Sequence, residues 1–457
     1  MAIALEQERA VIARAVRVAR DTRLFEAEPG IRHRAGSVFR ELFGGESAVV
    51  IADGNTFKAA GRDVQTSFER EGVAQQAPFI FGPHVHADIE CVEELERFLG
   101  SVHAIPVAVG SGTLNDLTKL AAHRLNRPYM VVGTAASMDG YAAYGASILK
   151  DGSKETMLCP APRAVLADLE VICAAPAGLN PSGYGDLLAK IPAGADWMLA
   201  DAAGVEPIVR PVWDTVQALL RSWVGSPAAI PAGEPAPLAH LLNGLVMSGL
   251  AMQEVLNSRP ASGAEHQFSH LWDMQGHTHR GEAPSHGFKV GIGTLASIAL
   301  FEDLLARDIG RLDVDRAVEM WPSLEAHSKR VKELFGPGGL ARRAEEETKA
   351  KYAEGDALRK QLTRLRDSWG ELRPRIGEQL IPFRDAREML AKAGCPCEPE
   401  QIGISRARLR LAYEQCCYLR RRFTVLDVAH RMGVLPSALD HLFGPRGAWR
   451  PVAEASE

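Results

Sequence analysis

The first third of the chain alternates short apolar runs with amphipathic stretches. "SAVVIADG", "PFIFG", "AIPVAVGSG" and "PYMVVGTAA" are rich in Val, Ile and Phe, and several end in glycine or another turn signal. Between them lie "TFKAAGRDVQTSFEREG", "CVEELERFLG" and "LNDLTKLAAHRLNR", each with helical periodicity. Strands alternating with helices predict a parallel sheet in an α/β domain. "APRAVLADLEVICAAP" is a candidate for one more strand before the pattern changes. From about Leu179 the texture is helical. "DLLAKIPAGADWMLADAAG", "VWDTVQALLRSWV", "LAHLLNGLVMSGLAMQEVL", "GFKVGIGTLASIALFEDLLARD" and "LDVDRAVEMWPSLEAHSKRVKELF" all fit apolar faces of period near 3.6. The patterns divide the chain into an α/β domain over residues 1–178 and an all-α domain over residues 179–457.

Three other stretches refine that division. "MAIALEQERAVIARAVRVARDTRLFE" mixes Glu and Arg on an amphipathic pattern. It predicts a surface helix and lacks the uncharged core of a targeting peptide. The charged run "ARRAEEETKAKYAEGDALRKQLTRLRDSW" reads as a solvated helical face, and "GSPAAIPAGEPAPLA" as a surface loop. The tail "RRFTVLDVAHRMGVLPSALDHLF" has the helix, glycine turn, helix order of a DNA reader, which any packed helix pair also shows.

Composition narrows the function. Hydrophobic residues make up 46% and charged residues 24% of the 457 positions, so the chain can bury a sizeable core. The net charge of −5 offers no basic field for nucleic acid. The seven cysteines, Cys91, Cys159, Cys173, Cys395, Cys397, Cys416 and Cys417, are scattered and odd in number, unlike a secreted disulfide framework. No uncharged apolar run reaches membrane-spanning length. The expectation is a cytoplasmic enzyme with neither nucleic-acid nor membrane partners.

Strand-end turns carry the candidate nucleotide chemistry. "AVGSGTLNDLTKLAA" leaves a strand and opens a helix. Gly110 and Gly112 allow a tight turn and a close ligand approach, and the helix N-terminus suits a pyrophosphate. The third position of a G-x-G-x-x-G pattern holds Asn115 instead. "VVGTAASMDG" ends the next strand in Thr134, Ala135, Ala136 and Ser137, small residues that leave room for a flat cofactor. Asp139 follows, either as a ligand-facing carboxylate or as a cap. Asp53, ending "VVIAD", is either a ribose partner or an Asp-Gly turn.

The helical half offers metal chemistry. Asp186 in "SGYGDLLAK", His266 in "GAEHQFSH" and His286 in "SHGFKVGIGT" make one carboxylate and two imidazoles. Three protein ligands with an open position are the pattern of a catalytic divalent metal. Spacing alone does not select them, because "HQFSHLWDMQGHTHRGEAPSH" alone holds five histidines. His266 and His270 lie four apart and share a helical face, while Phe268 and Trp272 occupy another as packing residues.

Taken in order, "VGSGTLNDLTK", "TAASMDG", "GYGDLLAK", "GADWMLAD", "SRPASGAEHQFSH" and "HGFKVGIGT" resemble the sn-glycerol-1-phosphate dehydrogenases, best their bacterial members. That family lies in the superfamily of iron-containing alcohol dehydrogenases and dehydroquinate synthases. The resemblance covers roughly residues 45–300, with "LRRRFTVLDVA" similar as well. It implies a Rossmann-like dinucleotide-binding N-terminal domain, a helical metal- and substrate-binding C-terminal domain, and an active site in the cleft between them.

Residue by residue, the resemblance implies Asp186, His266 and His286 as metal ligands, with Asp186 also touching substrate. It implies substrate contacts for Asp139 and His270; His270, one turn from His266, is the candidate proton relay. Gly110, Gly112, Thr113, Leu114, Asn115 and Asp116 fall on the pyrophosphate loop. Thr134, Ala135, Ala136 and Ser137 fall on the nicotinamide side, and Asp53 at a ribose position. The implied reaction interconverts dihydroxyacetone phosphate and sn-glycerol 1-phosphate with NAD or NADP. One divalent metal per chain, Zn²⁺ or Ni²⁺, and a homodimer are also implied.

The chain departs from the family pattern at Ser111 in place of the middle glycine, at Gly133 in place of a proline, and at Ala143 in place of a cofactor-contacting serine. Lys289 stands where a neutral residue is expected, facing either a phosphorylated substrate or solvent. Competing expectations are another polyol or polyol-phosphate dehydrogenase of the superfamily, a dehydroquinate synthase-like lyase using NAD transiently, and a DNA-binding regulator.

Overall fold

The computed structural model describes residues 2–83, 85–150 and 153–450. The chain forms two compact units, each discontinuous in sequence. The first takes the segment ending at Leu187, together with Pro211–Ala261 and Lys392–Cys395. The second takes Leu188–Arg210, Ser262–Ala391 and the segment from Pro396 onward.

In the first unit, helix α1 (Ala2–Val18) precedes a six-stranded sheet. Its strands are β1 (Leu24–Glu28), β2 (Ala48–Asp53), β3 (Phe79–Phe81), β4 (Ile105–Gly110), β5 (Met130–Gly133) and β8 (Ala164–Asp168). The order is β1-β8-β5-β4-β2-β3, and every pairing is parallel. The remaining strands, β6 (Ala146–Lys150) and β7 (Ser153–Met157), form an antiparallel hairpin. Both faces of the main sheet are covered, which is why its strands read as continuous apolar runs. Val50, Val107, Val109 and Val132 pack on one face with Phe39 and Phe68. Val49 and Ile51 pack on the other with Leu95, Leu99, Leu114 and Leu117. The alternation along β2 is the period-2 signature of a strand with two buried faces.

Two elements depart from the sequence expectation. The N-terminal helix stops at Val18, and Leu24–Glu28 is a strand instead of its continuation. "LFEAE" has helix-favouring composition, but in-register pairing of Leu24–Glu28 with Ala164–Asp168 overrides that local preference. The β6–β7 hairpin is the second, and its polar second strand carries no apolar alternation that a sequence pattern would reveal. The candidate strand in "APRAVLADLEVICAAP" is β8.

Helix α2 (Gly112–Arg124) follows β4, and α3 (Leu179–Leu188) follows β8 after a short helical turn. The helix Pro235–Val255 also belongs to the first unit, opened by a proline at its first turn. The second unit is built from helices. They include α4 (Lys190–Ala202), α5 (Ala264–Met274), α6 (His286–Leu305), α7 (Arg406–Leu419), α8 (Val425–Arg431) and α9 (Leu435–Leu442). Phe268 and Trp272 of α5 are fully buried, and Phe268 meets Tyr413 of α7 edge-on at 5.0 Å. The α8–α9 pair, turned at Gly433 with φ of 69°, buries Leu426, Val428, Ala438, Leu439 and Leu442. The tail is therefore a packed helix pair with its apolar residues in the core. No helix among the described residues is long and apolar enough to cross a membrane.

Candidate functional site

The sheet's topology picks out one edge. From β2 the chain runs outward to β3, then returns to place β4 on the other side of β2. This reversal makes the carboxyl ends of β2 and β4 a topological switch point, where open parallel sheets bind ligands. Asp53 ends β2, Gly110 ends β4, and Gly133 ends β5 in register with Gly110. The two glycine-containing turns and Asp53 thus occupy one sheet edge, as required of a dinucleotide site.

Within that edge the expected cofactor residues do different work. Helix α2 begins at Gly112, and Ser111, its N-cap, makes no side-chain cap bond. The first N–H groups of α2 stand at the strand end, the arrangement that receives phosphate. A Cβ on Gly112 would come within 2.7 Å of the Met138 side chain, so the glycine makes room for Met138. Thr113 is half-buried, whereas Leu114 sits in the core under the sheet. The Asn115 amide donates to the Gly140 carbonyl and accepts from the Tyr129 hydroxyl. The Asp116 carboxylate accepts from Ser147 N–H. Thr134 N–H bonds to Gly110 O, joining the two turns. Ala135 O accepts from the Tyr141 hydroxyl, Ala136 N–H donates to Asn180, and Ser137 is buried. Asp53 caps a short helical turn through the N–H groups of Asn55 and Thr56, both at 2.8 Å.

The loop carrying Asp139 is held from several sides. Lys119 is buried, and its ammonium donates to the carbonyls of Gly140, Ala143 and Gly145 at 2.9–3.0 Å. Gln253 donates to Ala142 O at 2.6 Å. Gly249 lets the helix Pro235–Val255 lie on this loop, since a Cβ there would meet Ala142 and Ala143 backbone within 3.0 Å. Gly183 of α3 likewise packs on Ala136 O, which a Cβ would strike at 1.8 Å. Asp139 N–H donates to Asp186 Oδ2 at 3.0 Å. Asp186 itself is fully buried on α3.

On α5 and α6 the histidine rings form a triangle. His266 and His286 lie 5.4 Å apart between centroids, His266 and His270 6.2 Å, and His270 and His286 6.3 Å. Asp186, His266 and His286 each offer one ligand atom, and these atoms all lie within 4.8 Å of one another. They are the only such group among the described residues. One buried carboxylate and two imidazoles, gathered to that distance, fit a divalent cation whose ligands sit at ~2.0–2.2 Å. His270 stands beside the group on the same face of α5 without belonging to it.

The start of α5 is anchored by residues the sequence reading passed over. Gly263 N–H and His266 Nδ1 both meet Glu265 Oε1. Asp196 of α4, fully buried, accepts from Ala264 N–H at 2.7 Å and from Val425 N–H at 2.6 Å, so one carboxylate caps α5 and α8. Glu265 was visible only as the neighbour of a histidine, and Asp196 only inside the motif "GADWMLAD". Lys289 does not face solvent: it is 3% exposed and paired with Asp273.

Comparison with known proteins bears on the family and the fold. Residues 26–176 match the family model described as iron-containing alcohol dehydrogenase. A glycerol-1-phosphate dehydrogenase [NAD(P)+] of Geobacillus thermodenitrificans is 30% identical over 386 residues, covering 83% of this chain and 86% of the relative. One from Methanosarcina mazei is 32% identical over 272 residues, covering 59% and 74% respectively. Among solved structures, a probable glycerol dehydrogenase from Sinorhizobium meliloti superposes with a TM-score of 0.57 at 15% identity, covering 92% of this chain and 98% of that one. A maleylacetate reductase from Agrobacterium tumefaciens gives 0.55 at 14% identity, covering 92% and 96%. At such identities the structures testify to the fold alone. The sequence match over most of both chains goes further, and the chain belongs to the glycerol-1-phosphate dehydrogenase family.

Proposed function

We propose that this protein is a metal-dependent, NAD(P)-linked oxidoreductase that interconverts dihydroxyacetone phosphate and sn-glycerol 1-phosphate. The observation that carries the reading is the gathering of Asp186, His266 and His286 in a chain of this family. Asp186, His266 and His286 would hold the cation, which supplies Lewis acidity toward the ketone oxygen. Imidazole and carboxylate donors suit Zn²⁺ or Ni²⁺. The nicotinamide would supply the hydride from the sheet edge formed by Gly110–Asp116 and Thr134–Ser137, with Asp53 nearest a ribose.

The chain's own residues supply position, exclusion of water and proton movement. Asp139 N–H occupies one lone pair of Asp186 Oδ2 and so orients that carboxylate. His270 is half-buried and one turn from His266, the place for a proton relay to substrate oxygen. Asp139, at the head of the loop pinned by Lys119, would bind a substrate hydroxyl. Lys289 lies one helical turn beyond His286, paired with Asp273, and would turn its ammonium toward a phosphorylated substrate. A homodimer is part of the same reading and is checked by sedimentation.

The test is NADH oxidation with dihydroxyacetone phosphate on metal-stripped and metal-reloaded protein, with product stereochemistry determined. Activity should vanish with the metal, return on reloading, and yield the sn-1 enantiomer. Full activity without metal, or no NADH oxidation after reloading, sinks the reading.

A further inference from the structure

Glu265 stands outside the ligand set yet is 0% exposed, one residue before His266 at the start of α5. Its Oε1 lies 2.8 Å from His266 Nδ1. A carboxylate oxygen accepts hydrogen bonds and does not donate them. At that distance Nδ1 must therefore be the donor, which leaves the lone pair of His266 on Nε2. His286 has a weaker counterpart: its Nδ1 lies 3.4 Å from the Ser269 hydroxyl, a group that can donate or accept and so selects neither tautomer.

The placement of Glu265 is held by its surroundings. Gly263 N–H donates to the same Oε1. Helix α6 presses on the Glu265 backbone at Gly293, where a Cβ would fall 2.2 Å from Glu265 O. A carboxylate serving only as a cap would satisfy both oxygens, because burying an unpaired one is costly. Here Oε2 is buried without a hydrogen-bond partner. The carboxylate stands at Nδ1, across the ring from Nε2.

We propose that Glu265 is a positioning residue for His266. It fixes the Nδ1–H tautomer, holds the ring plane, presents Nε2 to the metal and increases the ring's donor strength. This inference rests on the reading of His266 as a ligand.

The experiment titrates Co²⁺ into metal-stripped full-length wild type, Glu265→Gln, Glu265→Met and His266→Ala, recording Co²⁺ affinity, the visible d–d spectrum and the melting temperature of each metal-free protein. Glutamine keeps an acceptor for Nδ1 and methionine removes it. The expected result is Co²⁺ binding weakened about 10-fold in Glu265→Gln and about 100-fold in Glu265→Met. The d–d bands should shift, and the metal-free melting temperatures should fall by no more than about 3 °C. If Glu265→Met does not fold, Glu265→Gln decides alone. Wild-type affinity and an unchanged spectrum in Glu265→Gln overturn the proposal while leaving the ligand reading intact. Affinity that falls only as far as metal-free stability falls also overturns it, by assigning Glu265 a structural role. Failure of wild type to bind Co²⁺, or wild-type binding by His266→Ala, overturns the ligand reading and this inference together.

Discussion

Lys119 and Glu265 are both fully buried charged side chains, one in each unit, and they are treated in opposite ways. Lys119 has three N–H donors and meets three carbonyls, of Gly140, Ala143 and Gly145. Asp116 lies 3.6 Å away as counter-charge. Its bonding capacity is filled by the loop it secures. Glu265 uses one oxygen for two neighbours and leaves the other unpaired. A filled set of bonds is what a structural charge looks like. An unfilled one costs stability and persists where the charge acts on something else. The strand-end region is thus assembled mainly from backbone groups and small residues, with one satisfied cation. The helical region gathers carboxylate and imidazole groups around α5 and α6, with Glu265 Oε2 buried without a partner.

The contrast can be broken by mutation. The largest effect is expected for Lys119→Met, which strands three carbonyls and should cost about 3–5 kcal/mol in chemical denaturation. A loss below about 1 kcal/mol would place Lys119 among surface-like pairs and end the comparison on that side. Next comes Asp196→Ala, which removes the acceptor of the first N–H of both α5 and α8 and should cost about 2–4 kcal/mol. Asp196→Asn, keeping an acceptor oxygen, should recover part of that loss.

A third expectation concerns acid. His327 and His430 face each other 5.3 Å apart in a partly buried aromatic cluster with Trp321, Tyr352 and Tyr418. Burial, then Lys351 and Arg431, push His327 down to about 4. Burial, then His327, Lys351 and Arg431, push His430 down to about 3. A histidine with a depressed folded pKa binds its proton more weakly folded than unfolded. Its stabilising contribution is complete above the unfolded value near ~6.5 and is lost as pH falls toward the folded values. Urea unfolding should therefore show stability declining from pH 6.5 to pH 4, and His430→Phe should flatten the slope. An unchanged slope in that variant contradicts the assignment.

The smallest effect is expected for metal-free Glu265→Met, where relief of an unpaired buried oxygen offsets the lost acceptor of Gly263 N–H and His266 Nδ1–H, leaving a net change of about 1 kcal/mol or less. A clear loss of metal-free stability would make Glu265 resemble Lys119.

The legibility of the molecule follows a similar line. The Val- and Ile-rich strands β2, β4 and β5 were readable because both faces of the sheet are buried and each run is apolar throughout. The long helices were readable by their 3.6-residue period. β1 was not, because "LFEAE" becomes a strand only through pairing with residues 140 positions away (Leu24 with Ala164). Asp186, His266 and His286 were selected by ordered motifs and family resemblance, not by spacing. The sequence allows Asp53 as ribose partner or turn, and its carboxylate accepts from the N–H groups of Asn55 and Thr56. Asn115 was expected at the cofactor, and its amide bridges Gly140 and Tyr129.

By itself, then, the sequence determined the alternation of strands and helices, the glycine turns at strand ends, the absence of a long uncharged apolar span, and the candidate chemistry of its carboxylates and histidines. These are local properties, set by side-chain size, charge and period along the chain. Tertiary structure alone decided the strand order that creates the switch point, the use of the Lys119 donors, and the approach of Asp186, His266 and His286 to within 4.8 Å of one another. It also set Glu265 Oε1 against His266 Nδ1. Each of these depends on which groups meet after water has been excluded, and a linear pattern does not encode which polar atoms will find partners once buried.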